Sequence, residues 1–278
     1  MKIGVRAQDF GRRTAQEMAA LLRDEEYEAA QLDPLKAVEG IRGFRDITPQ
    51  RLWEIRSAFE AQKVDIAVLS CPGDLSDPDP VRREEAADIL KKSLVWAKEL
   101  NAAMVEAQAA PASLTERGRQ QRQPLGADCI LRVLDEAVRL NVKIGLRPLR
   151  RQPPDGPEAV MELIRRAGCP DCLRLIFHGE GLLKRPGPSG QDALWRQWLS
   201  QAGPYVDAVY LTDFSFDRQR RRQPEPLGMG LMDYGAVKDW LACQNREIYL
   251  IRQEMNLMFA KDDLAFMRRL CPGGGEPE

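Results

Sequence analysis

The chain has 278 residues, enough for one large core, and its charges nearly cancel, with 41 Lys and Arg against 42 Asp and Glu for a formal net charge of -1. That balance excludes a general attraction to nucleic acid or to an anionic membrane surface. A single histidine excludes any mechanism built on a histidine cluster within one chain, since histidine is the usual neutral-pH proton carrier and transition-metal ligand.

In chain order, Lys2 to Val5 reads as a short strand ending at Arg6. Met1-Lys2 therefore leads into a strand and not into a signal peptide, and no apolar run is long enough to span a bilayer. Thr14 with Glu17 three residues on is a capping box that opens a helix to about Arg23. Ala29 to Leu32 is the second strand. Thr48 and Pro49 supply an N-cap and first helical position for a helix through Glu60, with Leu52, Ile55 and Phe59 on one face. Val64 to Leu69 is a strand closed by Ser-Cys-Pro-Gly, and a long helix follows from about Val81 to Leu100. Ala102 to Val105 is a weaker strand ending at Glu106. The stretch from Ala107 to Gln123 has no periodicity and reads as a loop before a helix over 125–140. Val142 to Arg147 is the fifth strand, with an arginine at its end.

The same alternation continues: a helix over 157–167, a strand over 172–177, a helix over 192–199, a strand over 206–211, a helix over 235–242, a strand over 247–251 and a helix over 262–270. Eight short strands rich in Val, Ile and Leu, each followed by a helical pattern, predict an α/β fold, a single-domain (β/α)8 TIM barrel over residues 1–271. The Gly- and Glu-rich tail 272–278 is expected to be loose. The six cysteines are irregularly placed and fit thiols of a reducing cytoplasm, which predicts a cytoplasmic protein.

In such barrels the chemistry lies where the strands end. The residues there are Arg6, Cys71, Glu106, Arg147, His178, Tyr210, Thr212, Asp213, Arg252 and Glu254. Three arginines around one cleft suit a carboxylate or phosphate. They equally suit structural ion pairs with Glu106, Asp213 or Glu254, and the sequence leaves both readings open. His178 is the only ordinary general base near neutrality. Cys169-Pro-Asp-Cys172 has the spacing of a redox pair or half a zinc knuckle, yet it precedes a strand and has no second pair. Arg218 to Arg222 is a basic loop, either solvated or able to close over a charged ligand. Gly228-Met-Gly230 lacks the further glycine and the lysine of a phosphate cradle.

With these residues laid out, the chain resembles the sugar phosphate isomerase/epimerase superfamily, the xylose-isomerase-like barrels, over roughly residues 2–270. The resemblance rests on Lys2-Ile-Gly-Val5, on Val209-Tyr-Leu-Thr-Asp-Phe214 and on Leu227-Gly-Met-Gly-Leu-Met-Asp-Tyr234. It implies a divalent metal held by Glu, Asp, His and Glu from the ends of strands five to eight, with the two glutamates moving a proton beside a carbonyl. In this chain those positions match Arg147, a place at or beside His178, Tyr210, and Ile251 or Arg252. Arginine cannot ligate a metal or act as a base. The expectation is therefore no metal and no cofactor, unless Glu106, His178, Asp213 and Glu254 rebuild a site.

Two functions follow. In the first, the mouth binds an anionic or sugar-like small molecule, such as a sugar phosphate or sugar acid, without metal-dependent catalysis. Arg147 and Arg252 would hold the anion, with Tyr210 and His178 contributing hydrogen bonds and Arg6, Asp213 and Glu254 also counted in the ligand site. In the second, a metal-independent isomerase uses His178 or Glu106 as base and an arginine as electrostatic stabiliser. The related abasic-site endonucleases are excluded by the single histidine, and no nucleic-acid or membrane partner is expected. The tryptophans all lie in helical patterns, so a homo-oligomer is compatible with the sequence.

Overall fold

A computed structural model describes residues 1–107, 116–150, 156–168, 171–183 and 189–273, the side chains of 116–120 excepted. The strands are β1 (Lys2–Arg6), β2 (Ala29–Leu32), β3 (Asp65–Ser70), β4 (Met104–Ala107), β5 (Lys143–Leu146), β6 (Leu173–His178), β7 (Val206–Leu211), β8 (Phe214–Phe216), β9 (Arg222–Pro224) and β10 (Tyr249–Arg252). β1 to β7 and β10 close into a parallel barrel in sequence order, while β8 and β9 form a separate antiparallel hairpin. The expected (β/α)8 barrel is the observed fold.

The helices behind the strands are α1 (Ala15–Asp24), α2 (Pro34–Ala37), α3 (Pro49–Gln62), α4 (Pro80–Leu100), α5 (Glu116–Leu140), α6 (Pro157–Ala167), α7 (Gly179–Leu182), α8 (Gln191–Ala202), α9 (Gly235–Ala242) and α10 (Ala260–Leu270). Thr14 forms the expected capping box, its hydroxyl accepting from the Glu17 N–H while Glu17 reaches back to the Thr14 N–H. Thr48 caps α3 one way, its hydroxyl accepting from the Arg51 N–H, with Pro49 in the first turn. α5 corrects the sequence reading, because it begins well inside the stretch expected to be loop and carries Pro124 in its interior. Proline is a common helix start, and the polar residues before it have no apolar period to announce a helix.

Two apolar layers hold the barrel. The larger lies between strands and helices and includes Val5, Leu22, Ile55, Leu90, Leu134, Leu163, Trp195 and Met267. The smaller fills the lumen with Ala29, Ala67, Val68, Met104, Ile176, Ala208, Tyr210, Tyr249 and Ile251. Lumen residues recur two apart, as in Ala208–Tyr210 and Tyr249–Ile251, because successive side chains of a strand face opposite sides. The lumen has no room to spare at β5: a Cβ on Gly145 would lie 2.7 Å from Met104 Sδ and 3.0 Å from Ile176 Cδ1. This packed plug makes the barrel's C-terminal end a floor and leaves the chemistry above it.

Candidate functional site

Continuing the two-residue period one step past the apolar layer puts Arg6, Gln31, Ser70, Glu106, Arg147, His178, Thr212 and Gln253 over the lumen. All eight line one cleft of about 590 Å³ at the strand C-termini, together with Asp33, Lys36, Cys71, Glu180, Arg222 and Glu254. A wider concavity of about 850 Å³ opens at the opposite, N-terminal end, among residues such as Met1, Glu26, Arg246 and Arg268. That end is lined by the turns that enter the strands, where barrels carry stability and not chemistry.

A hydrogen-bonded network forms the floor of the C-terminal cleft. Glu106, only 5% exposed, accepts from Arg147 Nε at 2.6 Å, Gln31 Nε2 at 2.9 Å and the Tyr210 hydroxyl at 2.9 Å. Gln31 also donates to Ser70 at 2.9 Å, and Gln253 donates to Gln31 at 2.6 Å. Carboxylate, guanidinium, phenol and two carboxamides thus tie β2, β3, β4, β5, β7 and the end of β10 together. A buried carboxylate is tolerated because charged and neutral donors replace its lost water. The Tyr210 phenol is pushed well above its ordinary pKa by burial and by the Glu106 charge, so it stays a proton donor. The Arg147 guanidinium lies 5.9 Å from the Tyr210 ring centre.

His178 stands beside this network, its ring edge-on to Tyr210 at 6.1 Å between centres. Its Nε2 is 3.4 Å from Thr212 Oγ1, and its buried Nδ1 has no hydrogen-bond partner among the described residues. Burial, followed by the charges of Arg147, Arg222 and Arg6, pushes its pKa down to about 3. The imidazole is therefore neutral at physiological pH and a weak base. The expectation of His178 as a proton-abstracting base meets this obstacle. Glu106 meets a different one, since taking a substrate proton would break its pair with Arg147.

Every cation lining the cleft has a carboxylate partner. Arg6 pairs with Asp9 at 2.7 Å, Lys36 with Asp33 at 3.0 Å and Arg147 with Glu106 at 2.6 Å. Arg222 is held by Glu180 and, at 2.6 Å, by Glu254. The ion-pair reading of the strand-end arginines describes these contacts.

Two expected ligand-binding residues lie elsewhere. Arg252 is 1% exposed and faces outward, donating to Asp263 Oδ2 of α10 at 2.6 Å and to the carbonyls of Gln253 at 2.6 Å and Glu225 at 2.8 Å. Ile251 fills the lumen, so its neighbour must point the other way. Asp213 is 1% exposed; its Oδ1 accepts the N–H groups of Phe214 and Met232 at 2.8 and 3.0 Å. Its Oδ2 accepts those of Gly228 and Gly230 at 2.9 and 3.1 Å. Asp213 organises the loop after β9. The motif Gly228-Met-Gly230 serves the same purpose, giving a backbone that can wrap a carboxylate.

Sequence reasoning missed Gln31, Ser70, Gln253, Lys36 and Glu180 as cleft residues, while Arg222 belongs to the basic loop read as either solvated or able to close over a charged ligand. Period-2 extrapolation from the lumen positions would have found the first three; the others come from loops and the hairpin. Cys71 lines the cleft half-buried, and burial pushes its thiol up to about 12, so it stays protonated at neutral pH. Cys172 is buried just ahead of β6; Cys169, its expected partner in a redox pair, lies outside the described residues, as does tail segment 274–278.

The metal implied by the resemblance does not fit these side chains. The four positions are Arg147, His178, Tyr210 and an Ile251–Arg252 pair of which one is core and the other already bound to Asp263. The four residues proposed to rebuild a site do not assemble, because Asp213 is turned into its own loop. Among the described residues, no three His, Cys, Asp or Glu side chains group to hold an ion. Also among the described residues, no helix is long and apolar enough to cross a membrane.

Comparison with known proteins places this architecture. The sequence profile of the xylose isomerase-like TIM barrel family matches residues 19–270, and the chain belongs to that family. A search of curated proteins finds no match. Among solved structures, 3-keto-D-glucoside 4-epimerase from E. coli is similar with a TM-score of 0.73 at 16% identity, over 96% of this chain and 99% of that one. A D-psicose 3-epimerase crystallised in the presence of D-fructose gives 0.73 at 13%, over 98% and 100%. The IOLI protein with a bound zinc atom gives 0.72 at 13%, over 94% and 91%. At these identities the likeness is one of fold.

Proposed function

We propose that this protein binds a small sugar-like molecule in the cleft above Glu106 and does so without divalent-metal chemistry. The observation that carries the reading is the commitment of Glu106 to Arg147, Gln31 and Tyr210. A polar floor of fixed donors and acceptors suits hydroxyl groups, and the matched charges around it can share hydrogen bonds with a neutral polyol without any pair being broken. Two of the structural neighbours act on sugars by their names, which agrees with this ligand class. A carboxylate or phosphate on the ligand has its best place at the rim. There Lys36 is 69% exposed and Arg6 27% exposed, so each can be shared between its aspartate and a ligand anion. Arg252 is turned onto Asp263 and does not line the cleft, so it does not share an anion with Arg147.

The alternative, a metal-independent isomerase, keeps His178 as a neutral hydrogen-bond donor to a carbonyl oxygen and leaves the base unassigned. The test is calorimetric titration of chelator-treated protein with neutral ketoses, sugar acids and sugar phosphates, alongside solvent deuterium exchange into any ligand found. Binding that is insensitive to chelator, with no exchange, is the expected result. Exchange that appears only on adding manganese would overturn the reading. Exchange without metal would establish the isomerase alternative.

A further inference from the structure

The hairpin of β8 and β9 hangs over the barrel mouth, with Phe216 opposite Arg222 in its register. Its outer strand β9 is exposed along its length, yet Arg222 turns inward. The Arg222 guanidinium meets Glu180, in the single turn that follows β6, through Nε and through Nη2 at 2.8 Å. The same Nη2 donates to Glu254, just past the end of β10, at 2.6 Å. The guanidinium also lies 5.7 Å from the Phe214 ring centre. Two carboxylate oxygens from separate strand ends therefore converge on one nitrogen. The non-glycine Glu254 adopts a left-handed backbone, with φ of 56°, in the loop that carries its carboxylate to Arg222.

We infer that Arg222 is the resident cation of this mouth, occupying the place between Glu180 and Glu254 where a divalent ion would otherwise bind. The argument is one of charge and spacing. Oxygens within 2.6 and 2.8 Å of a single atom need move by only tenths of an ångström to reach the oxygen distances of a hard cation, about 2.3–2.6 Å for calcium. Carboxylates brought that close repel each other unless a positive charge sits between them. A guanidinium supplies it covalently, in a fixed fork, and does not dissociate. Arg222 thus decides what the mouth selects: with it in place the two acids are satisfied and a free metal ion is repelled. The inference does not depend on which ligand the cleft takes.

The experiment is a manganese titration of full-length protein, read by water-proton relaxation, for the wild type, Arg222→Gln, Arg222→Lys and Arg222→Gln combined with Glu254→Gln. Circular dichroism checks the fold of each variant. Arg222→Gln, which keeps a hydrogen-bond donor but no charge, is expected to bind one manganese at least about tenfold more tightly than the wild type, because ligand charge sets the affinity of such sites. The combined variant should lose that gain, and Arg222→Lys, which keeps the charge, should not acquire it. Wild-type protein that binds manganese as tightly as Arg222→Gln would overturn the inference. So would an Arg222→Lys variant that gains as much as the glutamine variant.

Discussion

Arg252 and Asp263 face each other at 2.6 Å with side-chain exposures of 1% and 0%. Asp263 also accepts the Leu227 N–H at 2.6 Å through its other oxygen, so the pair fastens β10, α10 and the loop before α9 in one place. Removing one partner of such a pair strands a buried charge, whereas replacing both with apolar groups does not. Arg252→Met should therefore cost about 3–5 kcal/mol in urea unfolding. Arg252→Met combined with Asp263→Leu should recover a large part of it, short of the hydrogen bond to Leu227. An Arg252→Met variant of wild-type stability would contradict the buried pairing. Arg252 also marks where the sequence stopped being legible. Arg147 and Arg252 look alike as arginines at strand ends. Their roles differ because one continues the lumen period of its strand and the other falls one residue off it, beside Ile251.

At the scale of elements, the barrel strands were legible because parallel strands buried on both faces read as near-continuous Val, Ile and Leu runs. β1, β2 and β7 fall on the expected residues, and β3, β5, β6 and β10 fall within a residue or two. The hairpin was not legible. Phe214–Phe216 and Arg222–Pro224 are short, and their separation is filled with arginines that read as loop. Beside the Asp263 contact to Leu227, one carboxylate gathers this region: Asp213 accepts four backbone N–H groups, on Phe214, Gly228, Gly230 and Met232. Gly230 cannot be replaced there, since a Cβ would sit 2.3 Å from Asp213 Oδ1 and 2.5 Å from the Phe214 carbonyl. Asp213→Asn turns one acceptor oxygen into an N–H donor that faces other N–H groups. It should cost roughly 2–4 kcal/mol, the loss of charge-assisted bonds together with unsatisfied buried donors. Hydrogen exchange locates the effect: the Gly228, Gly230 and Met232 amides should lose protection while those of β1 to β6 keep it. Uniform loss across the barrel would mean that Asp213 supports the whole fold and not this loop.

At the scale of the whole molecule, the lone histidine couples stability to pH. His178 has a folded pKa pushed from 6.5 down to about 3 by burial and by Arg147, Arg222 and Arg6. Released by unfolding, it takes up a proton near its ordinary value, so between pH 6.5 and about 3 the unfolded chain binds one proton that the folded chain refuses. Stability is complete above that window and falls as pH drops through it, by up to about 1.4 kcal/mol per pH unit. Carboxylates held below their ordinary range stabilise the fold and lose that contribution only at lower pH. Glu17, lowered by the Thr14 hydroxyl, and Asp46, lowered by the Arg42 N–H, begin to count below their unfolded values of 4.5 and 3.8. The interval from about pH 6.5 to about pH 5 therefore isolates the histidine. Urea unfolding across that interval should show a decline in the wild type that is flattened in His178→Gln. The imidazole resonance of the folded protein should not titrate there at all. A folded-state midpoint near 6.5 would mean that His178 meets water freely, and with that the neutral donor assigned to it above Glu106 would be replaced by an imidazolium competing with Arg147 and Arg222 for the same carboxylates.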